Sequence, residues 1–164
     1  MRSKKLRSNR WRSVSDNRDD VFAALNAWQK RMDQAGYRAT QLITRDLVAQ
    51  AQKNASEVKN PPIQSKNKLR HNPHIGPRAG EGPNYATGNL FRNIKANPVR
   101  RVGFESYTAS ATSGAEYARA VEEGSSRWLS GVKFPYMIPA RDYLVRSGRA
   151  SAFIRDEVKR AMGA

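Results

Sequence analysis

The sequence contains no cysteine. That single absence removes disulfide staples, thiolate zinc sites and cysteine nucleophiles, and it excludes a secreted disulfide scaffold. Histidine is almost as scarce: His71 and His74 are the only two, set among Pro73, Gly76 and Pro77 with no acidic neighbour, so they read as loop polarity and not as a metal site. Acidic residues number 14 against 30 Lys and Arg, and nowhere do they cluster as metal-assisted phosphoryl chemistry requires. Glu122 and Glu123 are adjacent, which on a helix points them about 100° apart, and they read as a solvated helix end. The glycines follow neither Walker nor dinucleotide spacing, and no serine sits in a nucleophile elbow. We therefore expect no enzyme, no catalytic residue, no metal and no cofactor. Long apolar runs are also missing: nothing approaches the roughly 18 residues of a membrane span, and the basic start lacks the apolar stretch of a signal peptide. The expectation is a soluble protein with no membrane partner.

What the 164 residues do contain is positive charge, and it is segregated. Residues 1–12 hold six basic and no acidic residues, 13–57 six of each, 58–104 nine and one, and 105–164 nine and seven. Two basic stretches thus flank a near-neutral helical segment. Arg2, Lys4, Lys5, Arg7, Arg10 and Arg12 in the first, and Lys66, Lys68, Arg70 and Arg78 in the second, are candidates for contact with DNA phosphates, through counterion release, or with an acidic partner protein. Solvated basic loops are the plain alternative.

The chain divides into four parts. Residues 1–15 show no amphipathic period and read as a flexible basic arm. Residues 16–58 form a long helix, with a plausible cap at Asp19 or Asp20. Its apolar positions Val21, Leu25, Trp28, Met32, Ala35, Ala39, Leu42 and Ile43, with Leu47, Val48, Ala51 and Ala55 beyond, recur in steps of three and four. Such a helix exceeds what a small body can cover, and Gly36 near its middle marks a possible kink or break. Residues 59–86 form a basic loop rich in Pro and Gly, where no regular element persists.

Residues 87–164 form a small α+β body. Thr87 caps a short helix presenting Leu90, Phe91 and Ile94 on one side. Pro98 to Phe104 and Ser106 to Ser113 read as an antiparallel hairpin. Ala115 to Glu123 is a helix that Gly124 stops. The apolar segment of Phe134, Tyr136, Met137 and Ile138, with Pro135 and Pro139 in it, reads as an edge strand or extended stretch. A closing helix follows from Pro139, with Gly148 able to interrupt it. The fold class is therefore α+β: a long N-terminal helix, a small antiparallel sheet with short helices, and a C-terminal helix. Leu90, Phe91, Tyr117, Val121, Tyr136 and Ile138 are expected to hold the body together, and Trp28, Leu42 and Leu47 to serve helix packing within or between subunits.

Three short motifs follow one another in this chain: Thr87 to Leu90, then Tyr117 and Ala118 ending in Glu123 and Gly124, then Pro135 and Tyr136 leading to Pro139 and Ala140 before the last helix. Their succession, after a long helix and a variable loop, resembles the tail-completion or neck proteins that join head to tail in tailed bacteriophages of the siphophage type. The family's pattern has an arginine before its first proline and a phenylalanine after it, where this chain has Phe134 and Tyr136; residues 1–15 and the long basic loop also fall outside it. The resemblance implies a structural virion protein of the neck, assembled in the host cytoplasm as a ring of six identical subunits. Its implied partners are the head connector or a head-completion protein on one side, tail terminator or tail tube proteins on the other, and packaged DNA in the channel. The competing expectation is a basic nucleic-acid-binding protein without sequence specificity.

Overall fold

A computed structural model of the chain describes residues 14–56, 88–124 and 133–163. The architecture is α+β. Helix α1 (Val14–Ser56) is followed by α2 (Asn89–Asn93), strands β1 (Ile94–Ala96), β2 (Arg100–Gly103), β3 (Ser106–Thr108) and β4 (Ala111–Ser113), then α3 (Ala118–Glu123), α4 (Met137–Arg146) and α5 (Arg149–Met162). The basic arm of residues 1–12, the loop cations Lys66, Lys68, Arg70 and Arg78, both histidines and the capping position Thr87 lie outside the described residues.

At 43 residues α1 is about 65 Å long and runs unbroken through Gly36. The break that Gly36 made possible does not occur, and the glycine answers a packing need. A Cβ at Gly36 would stand 3.2 Å from the Tyr107 ring of β3, so the missing side chain lets the sheet approach the helix. Thr40 and Thr44 each donate a hydroxyl hydrogen bond one turn back, to the carbonyls of Gly36 and Thr40.

The strands form one long ribbon in two ladders. Ile94 pairs with Ser113, Lys95 with Thr112 and Ala96 with Ala111; further out Arg100 pairs with Thr108, Arg101 with Tyr107 and Gly103 with Ser106. The predicted hairpin is thus present in its outer half, but its base was misread: Ile94 belongs to β1, not to the short helix. Spacing of Leu90, Phe91 and Ile94 suits a helical face, yet the chain turns extended at Ile94, whose side chain is buried against α1. Gln52 of α1 secures the junction by donating to the Phe91 and Ile94 carbonyls at 3.4 and 3.2 Å.

The core lies where the second half of α1 meets the body. Ala51, Ala55, Leu90, Ile94, Ala115, Ala118, Tyr136 and Ala140 form it, with Leu47, Val48, Val121 and Met137 packed on its rim. Alanines on α1 allow close approach of α4 and the ribbon base, and Tyr136 fills the space between. Only 2% of Tyr136 is exposed; burial there pushes its phenol above the usual value of 10.0.

The segment read as an edge strand is the second correction. Residues 133–135 are irregular, and α4 starts at Met137, so Ile138 and Pro139 lie in its first turn. Three of the amide hydrogens near that helix start, on Tyr136, Met137 and Ile138, donate to the Glu122 carboxylate at 2.8, 3.0 and 2.9 Å. The next residue, Pro139, has no amide hydrogen to satisfy. Prolines that argued against a central strand therefore suit a helix start. Gly148, in the left-handed region at φ 71°, does divide the closing helix into α4 and α5. Helix α5 then runs back along α1, fixed by Arg149, which forks onto both Asp46 oxygens at 2.7 and 2.9 Å.

Candidate functional site

Along α1 the positions Val21, Leu25, Trp28, Met32, Ala35, Ala39 and Leu42 advance by alternating steps of four and three, which keeps them on a single seam. The body covers only part of that seam. Ala35 and Ala39 are buried and Leu42 is half-buried, whereas Val21, Leu25 and Trp28 are exposed, Trp28 at 47%. Arg31 and Ala161 line one cleft, so α5 ends level with Arg31. The turns before that point extend about 25 Å beyond α5. Phe22 widens the bare stripe, with the Arg18 guanidinium 5.5 Å above its ring. A stripe of this width on a water-exposed helix is what a partner helix or subunit face would bury.

A second bare apolar feature is the end of the ribbon. Val102 and Phe104 are exposed, Phe104 at 72%, and Glu105 takes a left-handed conformation at φ 51° in the turn. Strand alternation sends Arg101 and Tyr107 toward α1 and leaves Arg100 and Thr108 on the opposite face. On the inner face, Arg101 stands 3.2 Å from the Asp33 carboxylate, and the Tyr37 and Tyr107 rings meet edge to face at 6.0 Å. A hydrogen bond to Asp33 holds the Tyr107 phenol above the usual value of 10.0. The ribbon is thereby clasped to α1 while its tip stands free.

Among the expected core residues, Leu90 and Tyr136 are buried, Phe91 and Val121 are half-buried, and Leu42 and Leu47 are half-buried on α1. Two are corrected. Tyr117 lies before the first turn of α3 and is exposed; Ile138 lies on the outer side of the first turn of α4 and is exposed, as is Pro139 beside it. Neither Tyr117 nor Ile138 holds the body together from within, because the buried places on those turns go to Ala118, Tyr136 and Ala140. Trp28 makes no part of the core either. Glu123 forms an exposed ion pair with Arg119 at 2.8 Å, and Gly124 ends α3 at φ 84°. The residue that sequence reasoning misplaced is Glu122, expected as a solvated helix end and found as the cap of α4. Its partners lie 14 to 16 positions away, so no local pattern announces it.

The chain matches no protein-family model, no curated protein and no solved structure. Among the described residues no three of His, Asp and Glu converge as metal ligands would, and no helix is long and apolar enough to cross a membrane. Among the described residues the surfaces that stand out are the bare seam of α1 and the tip of the ribbon, both apolar.

Proposed function

We propose that this chain is a structural subunit of a phage neck, a tail-completion protein that closes into a ring between the head connector or head-completion protein and the tail terminator or tail tube. The observation that carries the reading is the bare seam on the first half of α1. A body this small covers the seam from Ala35 onward and leaves Val21, Phe22, Leu25 and Trp28 in water. Head-to-tail packing of identical subunits buries such a stripe on every copy at once, and it closes into a ring when the rotation between copies divides a full turn. The succession of short motifs from Thr87 to Ala140 supports the choice of family.

Electron microscopy and mass photometry of the purified chain test this directly. A closed ring of one size, six subunits by expectation, alone or on a connector partner, supports the reading; a monomer at every concentration, with no incorporation into particles, overturns it. The net charge of +16 favours one competitor, a sequence-independent nucleic-acid-binding protein. That competitor predicts a small species that shifts DNA at low salt and releases it steeply as salt rises.

A further inference from the structure

Where α5 ends on α1, an open cleft of about 200 Å³ is lined by Arg31, Gln34, Ala35 and Arg38 from α1 and by Glu157, Arg160 and Ala161 from α5. The α1 positions are spaced three, four and seven apart and the α5 positions three and four apart, so each set shares one helix face. Ala35 and Ala161 keep the floor shallow. Three arginines therefore line one small space with a single acidic residue, Glu157, among them. Glu157, 3% exposed, pairs with Arg160. Neither the Arg31 nor the Arg38 guanidinium has an ion pair or hydrogen bond with another described residue, which leaves two positive charges at the cleft unmatched.

From this arrangement we infer a binding site for a phosphate-class oxyanion between α1 and α5, with Arg31 and Arg38 as its primary ligands and Arg160, oriented by Glu157, as the third. Charge selects the class: the cleft is open to solvent and small, and two unmatched guanidinium groups at it call for a compact anion. Guanidinium forks match tetrahedral oxyanions through paired hydrogen bonds, an advantage a lysine ammonium lacks. Gln34, one turn from Arg38, offers an uncharged amide donor at the same rim. The site does not depend on the assembly role proposed above, since it is built within one chain.

The test uses the full chain, labelled with nitrogen-15, titrated with inorganic phosphate against sodium chloride of matched ionic strength. Saturable shifts of the amides at Arg31 to Arg38 and Glu157 to Ala161 are expected. The double variant Arg31→Gln/Arg38→Gln, with both positions exposed and no packing lost, should weaken phosphate at least tenfold. Ala161→Leu, which fills the cleft without altering charge, should do the same, while Arg45→Gln on the covered half of α1 leaves binding unchanged. Shifts that fail to saturate, or affinity retained in either cleft variant, overturn the site. A 12-nucleotide oligothymidylate added to the phosphate-bound chain separates the sources: displacement at these amides identifies a phosphodiester backbone, and its failure identifies a free phosphate-class ion.

Discussion

The two halves of α1 have similar sequence periodicity and opposite surroundings. From Ala35 to Ser56 the helix is packed on by α4, α5, α2 and the ribbon, and its seam is mostly alanine, at Ala35, Ala39, Ala51 and Ala55. Before Arg31 the seam carries the larger Val21, Leu25 and Trp28, and among the described residues nothing covers it. Small residues permit helices to approach closely within the chain; large ones reach outward and need a surface brought to them. On the function proposed above, the second half serves folding and the first association, and substitutions can be chosen to fail in one half only.

The largest effect is expected at the covered end. Tyr136→Ala removes the bulkiest buried side chain of the core and should lower unfolding free energy by about 3 to 5 kcal/mol in urea denaturation, a change comparable to the whole stability of a small domain. An effect under about 1 kcal/mol would erase the contrast between the halves. The same residue sets a pH limit. Its folded-state phenol is held above 10.0, so the contribution is intact below pH 10 and is lost as pH rises through the higher folded value. Alkaline unfolding followed by phenolate absorbance should therefore be cooperative with tyrosine ionisation, and Tyr136→Phe should blunt that coupling.

Gly36→Val is next. Helix propensity alone would favour the change by a few tenths of a kcal/mol, but the side chain meets the Tyr107 ring at the 3.2 Å approach, and overpacking of this kind costs about 1 to 3 kcal/mol. Loss of protection in the ribbon amides with α1 still folded is the expected hydrogen-exchange signature; unchanged protection would mean the ribbon does not rest on the helix. Glu122→Ala should cost about 1 to 2 kcal/mol, since it leaves three amide donors at the start of α4 without their acceptor. Equal stability of Glu122→Ala and wild type would show that solvent replaces the carboxylate at no cost.

These residues also mark what the sequence could and could not convey. Periodicities of 3.6 made α1 and α5 legible, and Gly124 and Gly148 ended helices because left-handed or otherwise permissive backbone is needed there. The ribbon was half legible: Thr, Ser and Val content exposed β2 to β4, but Ile94 at helical spacing from Leu90 hid β1. Tyr136 to Ile138 was misread because Pro135 and Pro139 forbid a central strand and equally permit a helix start, and the deciding partner, Glu122, sits outside any local window. Hydrophobicity places Ile138 and Tyr117 in the core but cannot distinguish a buried face from a bare one. Of the candidate surface, the seam's spacing was readable; where its cover stops was not, since that depends on where α5 ends along α1.

The smallest effect on the isolated chain, and the sharpest on its assembly, is expected from Leu25→Asp with Trp28→Asp. Both side chains already face water, so unfolding free energy should change by no more than about 0.5 kcal/mol, as for other exposed substitutions. Placed in a subunit interface, however, each carboxylate must be desolvated without a partner, at a cost of several kcal/mol per contact, repeated around any closed assembly. Sedimentation velocity should therefore show a folded monomer where the wild type associates. Ala35→Asp provides the counterpart: the same charge a few turns along the same seam, beneath α5, should unfold the chain instead of dispersing it. If Leu25→Asp/Trp28→Asp unfolds the protein, the first half of α1 is part of the fold; if it leaves the oligomer intact, the bare seam is not where the copies meet.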